Sequence, residues 1–401
     1  MAAAAAGRSH VHLCFTDHRD QTYALHRVDV EPLFHSEPDP DPESMDVLPL
    51  PPPAARFQPP PDPNHVMNFH ALGAAGDRVV SIDELRRTLI YDASNGSVRA
   101  GPALRDRKYH TLSASVASAG GDNLYLLDHI PRRERRRCFE ALVYVPHLED
   151  CSRSRPTRVR EPGYTGAEVV SHAVAGAAVW TYSQGAGTYS FDTARRAWRK
   201  EGDWALPFRG KAVRDDDPGG GCGLWFGISS APGRRLCAAD LATATASSPP
   251  EVRGMWEEFR PPGEWFFRNA AVVHLGSGRL CTVWFFATDP TDKLWKTRAR
   301  AAPLHTDVGY CERLHHPCPC HELLGLGTRP PATGLDRGAA VTLADYGAIR
   351  MHPISVASSA SRTTHTYACA GGAPRRAAGR DSPLPGDVAG TPYRTAECGN
   401  V

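Results

Sequence analysis

The sequence predicts an all-β protein assembled from repeated short antiparallel sheet units, and three observations predict it. Short runs rich in Val, Leu, Tyr, Phe, Thr and Trp recur through residues 65–296, bounded by Gly, Asn, Asp and Pro. The strand–turn–strand grammar returns at intervals, since Asp92, Asp192 and Asp240 each close a strand-like run and stand 100 and 48 positions apart. Gly (36) and Pro (35) supply the turns that many short strands need. At 41% hydrophobic and 22% charged over 401 residues, the chain can bury a large core.

Taken in order, residues 1–35 hold two β-prone runs around a polar turn, a candidate hairpin that could contribute to a sheet unit. Residues 36–64 are rich in Pro and Asp, with Glu37-Pro38-Asp39-Pro40-Asp41-Pro42 and two triple prolines. Missing donors there exclude a central strand and predict a linker or long loop. Residues 65–296 carry the repeat. Thr88 to Asp92 runs into Asn95-Gly96, a strong hairpin signal because both residues tolerate positive φ. The pattern returns at Ala177 to Tyr182 with Thr188 to Asp192 and Ala197 to Lys200, and more weakly around Trp225 and Leu236 to Asp240. Degraded copies are read at Asn123 to Leu127 with Phe139 to Val145, and at Ala270 to His274 with Arg279 to Phe286. Two intervals and then one of about 50 residues fit the blades of a β-propeller, and a β-sandwich fits the same regular strands. Residues 297–401 turn to Ala, Gly, Arg, Pro, Ser and Thr, a composition that predicts a low-order C-terminal tail or a shifted reading frame.

Two segments resemble the kelch repeat. Tyr189-Ser190-Phe191-Asp192, the turn to Trp198 and Gly202-Asp203-Trp204-Ala205-Leu206-Pro207 resemble its Tyr-Asp, Trp, Pro signature. Leu89-Ile90-Tyr91-Asp92, running through Val98 to Gly101-Pro102, resembles a second copy. With Leu224-Trp225-Phe226-Gly227 and Leu236 to Leu241, the arrangement is similar to a grass-expanded plant family of kelch-like propeller domains of unknown function. The resemblance implies a kelch-like β-propeller in which Tyr91, Asp92, Phe191, Asp192, Trp198, Trp204, Trp225 and Asp240 are structural repeat positions. The Asp ties the turn and the Trp fills the gap between blades. Most units lack the paired Gly-Gly, so blade number and ring closure stay open. An incomplete ring would expose a sheet edge. The first 60 residues hold no F-box-like helical repeat.

A net charge of +2 gives no general attraction to phosphate backbones, so no nucleic acid is expected. No run of about 18 apolar residues predicts a membrane span, and the Ala-rich start ends at Arg8 without an export-type apolar region. Scattered cysteines read as reduced thiols and predict a cytoplasmic or nuclear location. Nucleophile-elbow, phosphate-loop, zincin and dinucleotide motifs are all missing, so neither enzyme activity nor a cofactor is expected. The expectation is a non-enzymatic scaffold for a protein partner, with Arg209, Trp265 and Arg268 as candidate contacts. The competing reading is a propeller-type enzyme whose metal is held by channel histidines and acids, with His110 and His172 its test positions and His65, His70 and His274 similarly placed. Arg132, Arg133, Arg135, Arg136 and Arg137 read as a solvated hairpin tip or an import patch. Cys311, His315, His316, Cys318, Cys320 and His321 are zinc-type ligands at a spacing that fits no familiar module.

Overall fold

The computed structural model describes residues 9–17, 22–35, 47–60, 66–73, 76–108, 110–118, 121–131, 138–144, 154–158, 162, 164, 166–215, 222–256, 266–287, 297–305, 340–342 and 351–353. The chain divides into two compact units, Met1–Ser361 and Arg362–Val401, and every described residue lies in the first.

The predicted N-terminal hairpin is β1 (His10–Asp17) with β2 (Thr22–Asp29). A short helix α1 (Glu31–His35) and β3 (Val47–Pro49) follow, and β4 (Pro53–Phe57) returns to pair with β2. The proline-rich stretch read as a linker thus contains two strands, both at sheet edges, where a residue without a donor costs only a bond on the open side. The second meander is β5 (Asn68–Leu72), β6 (Arg78–Ile82), β7 (Thr88–Asp92) and β8 (Ser97–Ala100). The third is β9 (Thr111–Ser118), β10 (Gly121–Asp128), β11 (Phe139–Tyr144) and β12 (Ser154–Arg158).

The fourth meander, β13 (Val169–Ala175), β14 (Ala178–Ser183), β15 (Gly187–Asp192) and β16 (Ala197–Gly202), holds the strongest repeat signal. Gly187 has φ +94° and a Cβ there would stand 2.5 Å from the Gly202 carbonyl oxygen, so only glycine fits. The fifth is β17 (Phe208–Arg214), β18 (Trp225–Ser229), β19 (Leu236–Asp240) and β20 (Glu251–Met255). A parallel pairing of β13 with β17, His172 opposite Lys211, joins these two into one eight-stranded sheet.

The sixth meander is β21 (Phe266–Gly276), β22 (Arg279–Ala287), β23 (Thr297–His305) and β24 (Ala340–Thr342), with β3 parallel to β24. Its strand β23 begins one residue beyond the boundary drawn from composition and pairs with β22 along nine positions. Backbone pairing needs no apolar side chains, so a run of Arg and Ala can serve. The last described strand, β25 (Met351–Pro353), pairs antiparallel with β1, bringing the two ends of the described chain into one sheet.

The fold is all-β, and none of its sheets closes on itself. Its strands alternate with period two, yet the central ones are buried on both faces, and the two faces serve different neighbours. In β10, Leu124 and Leu126 pack against the second meander with Leu72, Val80 and Ile82, while Tyr125 and Leu127 pack against the fourth with Val169, Val179 and Phe191. The same division holds throughout. First and second meanders share Leu25, Phe57, Phe69 and Tyr91; fourth and fifth share Ala173, Phe208, Trp225 and Cys237; fifth and sixth share Phe226, Ile228, Val272 and Trp284. Val11, Leu13 and Phe15 of β1 also lie in one cluster with Val273, Val283 and Phe285 of the sixth.

Candidate functional site

The repeat positions are structural in their contacts. Asp92 Oδ1 accepts the Ser94 amide at 3.0 Å and the Ser94 hydroxyl, which holds its carboxyl below the usual carboxylate range. Asp192 Oδ1 accepts the amides of Ala194 and Arg195, both at 2.9 Å, and Asp240 Oδ1 accepts that of Ala242 at 2.9 Å. Each carboxylate supplies the acceptor that a chain reversing direction needs. Tyr91 and Phe191 are buried, Phe191 completely. Trp198 packs its ring 5.2 Å from both Phe139 and Phe191, spanning the third and fourth meanders. Trp225 Nε1 donates to the Val174 carbonyl at 2.8 Å across the fourth and fifth, and Trp204 Nε1 donates to the Thr245 carbonyl at 2.7 Å. These side chains fix how the sheets sit together.

The named histidines scatter. His65 lies outside the described residues, as do Arg132, Arg133, Arg135, Arg136, Arg137 and the residues from Cys311 to His321. His70 is buried on β5, whereas His110 is exposed ahead of β9 with φ +48°. His172 is buried on β13, its Nε2 3.2 Å from the Ser113 carbonyl of β9. A carbonyl only accepts, so Nε2 carries a proton in that pairing. Burial and then the nearby Lys211 charge push its pKa down to about 3. His274 Nε2 stands 3.2 Å from Oδ1 of the fully buried Asp215, whose Oδ2 accepts the Cys222 amide at 3.2 Å. Among the described residues no group of three His, Cys, Asp or Glu side chains is arranged to hold a metal ion.

Of the residues expected to contact a partner, Arg209 lies near the start of β17 and Arg268 near the start of β21. Arg209 is exposed, and its cross-strand partner is Ile228 of β18, which in turn pairs with Leu236 of β19. Cross-strand partners share a face. Ile228 and Leu236 belong to the cluster shared with the sixth meander, so Arg209 lies on that side. Phe267 of β21 packs against the same cluster, and Phe266 is 39% exposed beside it. Arg268 is the extra residue of a bulge, between the pairs Phe267 with Phe286 and Asn269 with Phe285. Bulges re-aim the chain at functional edges. Trp265 lies outside the described residues, and the side chain of Arg268 is likewise not described.

Two features escaped the sequence reading. Arg234, at φ +47° in the β18–β19 turn, lays its guanidinium 4.2 Å from the Phe267 ring centroid, a cation–π contact joining positions 33 residues apart. Lys108 Nζ donates to Glu140 Oε1 at 2.6 Å with both side chains fully buried. Glu140 also accepts the amides of Arg105 and Asp106, each at 2.9 Å, so the β8–β9 connection is anchored on β11. The one available signal was Glu140 itself, an acid within the apolar run Phe139-Glu140-Ala141-Leu142-Val143.

No curated protein matches the chain. One family model, described as a protein of unknown function (DUF1668), matches residues 8–316 and so takes in the strands from β1 to β23. The match covers well over half of the sequence, and the chain belongs to the DUF1668 family.

Proposed function

We propose that the six meanders are the blades of a kelch-type β-propeller and that the protein is a non-enzymatic scaffold for a protein partner. The observation that carries the reading is the cyclic order of shared cores: each meander packs on the one before and the one after, and the sixth on the first. Strand β25 supports it further, since a strand from late in the chain then completes the sheet begun by β1, β2 and β4. In such a ring the strand connections collect at two ends, and a rigid frame presenting variable connections suits recognition. Arg209 stands near the start of β17, and Phe266 and the bulge at Arg268 stand near the start of β21. The described cysteines are all free thiols, four of them buried, which supports a reducing location in the cytosol or nucleus.

Affinity capture from native tissue with the full chain, followed by mass spectrometry, tests the reading. The expected result is a reproducible protein partner whose recovery falls with Arg209→Ala or Trp265→Ala. Failure of the wild-type chain to retain any protein above a scrambled-bait control defeats the scaffold reading. Unchanged recovery with both variants moves the contact to another face.

A further inference from the structure

We propose that Ser248, in the connection between β19 and β20, is a phosphoacceptor for a proline-directed protein kinase, and that its phosphate loosens a tryptophan clasp between the fourth and fifth meanders. Ser248 is followed by Pro249 and Pro250, and this is the one Ser-Pro or Thr-Pro step among the described residues. The connection leaves β19 at Asp240, makes a single 3-10 turn (Leu241–Thr243) and enters β20 at Glu251. Every residue from Thr245 to Pro249 is exposed, while Leu241 and Pro250 are buried and pin the two ends. A proline fixes its own φ and disfavours helical backbone in the residue before it. Ser248-Pro249-Pro250 therefore loses little freedom on entering a groove that reads extended peptide. Ser94 and Ser118 are also exposed, but their hydroxyls donate to Asp92 Oδ1 and the Gly121 carbonyl, and neither precedes a proline.

The same connection holds the fifth meander to the fourth. Trp204, between β16 and β17, donates its Nε1 proton to the Thr245 carbonyl at 2.7 Å, and its own carbonyl accepts the Thr188 hydroxyl at 2.6 Å. Its ring lies over Gly202, where any Cβ would collide with it, and its centroid is 6.2 Å from that of Trp180. Thr245 and Ser248 close a small turn on each other. The Thr245 amide donates to the Ser248 carbonyl at 3.0 Å, the Ser248 amide donates to Thr245 Oγ1 at 3.1 Å, and the two hydroxyl oxygens stand 2.6 Å apart. The residue that holds Trp204 is thus itself held by the phosphoacceptor.

In the transfer, Ser248 Oγ bonds the γ-phosphorus of a nucleoside triphosphate, the bond from that phosphorus to the β–γ bridging oxygen breaks, the hydroxyl proton passes to the kinase's base and the diphosphate leaves. Esterified, Ser248 has no proton to donate to Thr245, and it carries about two negative charges at neutral pH. Glu251, three residues on, and its cross-strand partner Asp240 already share Arg253, at 2.9 and 3.9 Å. Added bulk and like charge at a close hydroxyl contact work against the Thr245 turn and so against the Trp204 bond.

The test incubates the folded full chain with ATP and an active proline-directed kinase, maps phosphopeptides by mass spectrometry, and follows tryptophan emission and amide hydrogen exchange. The expected result is phosphate on Ser248, absent in Ser248→Ala and reduced about tenfold or more in Pro249→Ala, with Thr245 and Ser247 unmodified. Mapping separates this phosphate from any on Ser382 or Thr391, which also precede prolines. Phosphorylation shifts the emission of the wild type, and the shift disappears in Trp204→Phe. Exchange rises over residues 203–206 and 241–248 of the phosphorylated wild type while that of β8 stays the same, a reading that needs no tryptophan variant. Circular dichroism and melting establish that each variant folds. No phosphate on Ser248, phosphate there only after denaturation, or incorporation indifferent to Pro249→Ala overturns the site. Phosphate on Ser248 with emission and exchange both unchanged overturns its action on the clasp.

Discussion

Replacement of His172 by Gln should flatten the dependence of stability on pH. In the folded protein the His172 pKa is pushed down to about 3 from an ordinary 6.5, chiefly by burial, with Lys211 and His129 adding unfavourable charge and the Ser113 carbonyl opposing them. Between these values the unfolded chain binds a proton that the folded chain refuses, so stability falls as pH drops below the unfolded pKa. Each pH unit in this window is about 1.4 kcal/mol, and lowering the pH from about 7 to about 5 removes about 2 kcal/mol through this one ring. The glutamine amide of the variant does not titrate. The assay is urea denaturation of wild type and His172→Gln at both pH values, comparing the acid-induced loss rather than absolute stability. The other histidines, including His26, also lowered mainly by burial, act on both proteins and cancel. The wild type should lose about 2 kcal/mol more than the variant. Equal losses within about 0.5 kcal/mol would refute the claim that folding holds His172 neutral between β13 and β9.

Three further outcomes follow from the same contacts. Lys108→Met leaves Glu140 buried beside the two amides it already accepts, and should cost about 3–5 kcal/mol by denaturation midpoint; Glu140→Gln, which keeps a carbonyl for those amides, should cost less. Phe191→Ala opens a cavity among Tyr125, Phe139 and Trp198 and should cost about 3–5 kcal/mol in the same assay. Among the described cysteines, iodoacetamide should modify half-buried Cys222 first; Cys237, its thiol pushed up to about 12 by burial, and Cys14, also raised by burial, should react only on unfolding, as peptide mapping would read directly.

Local order was legible where strand and turn chemistry sit within a few residues. Asn95-Gly96 announced the β7–β8 hairpin, and Asp92, Asp192 and Asp240 carried the turn logic in their side chains. Strand β23 was not legible, because a strand's backbone bonds leave no mark on composition when Arg and Ala occupy its positions. Strands β3 and β4 hid among prolines for the related reason that an edge strand tolerates a missing donor. Of the candidate site, Arg209 was reached as a residue of a loop between strands, whereas Phe208–Arg214 is the strand β17. Arg234 was missed, since its relation to Phe267 depends on how the fifth and sixth meanders pack, and nothing in Gly233-Arg234-Arg235 states which sheet will lie alongside. Lys108 and Glu140 were missed for the same reason across 32 positions.

The cluster that joins β1 to β21 and β22 also sets a schedule for synthesis. Val11, Leu13 and Phe15 leave the ribosome early, yet Val273, Val283 and Phe285, which cover them, are about 260 residues further along. At about 5–20 residues per second, that apolar face waits roughly 13–52 s for its cover. During this interval the nascent N-terminal sheet is a target for chaperones and for the same strands of neighbouring chains on a polysome. Expression yield should therefore depend on holdase supply and elongation rate more than on the stability of the finished protein.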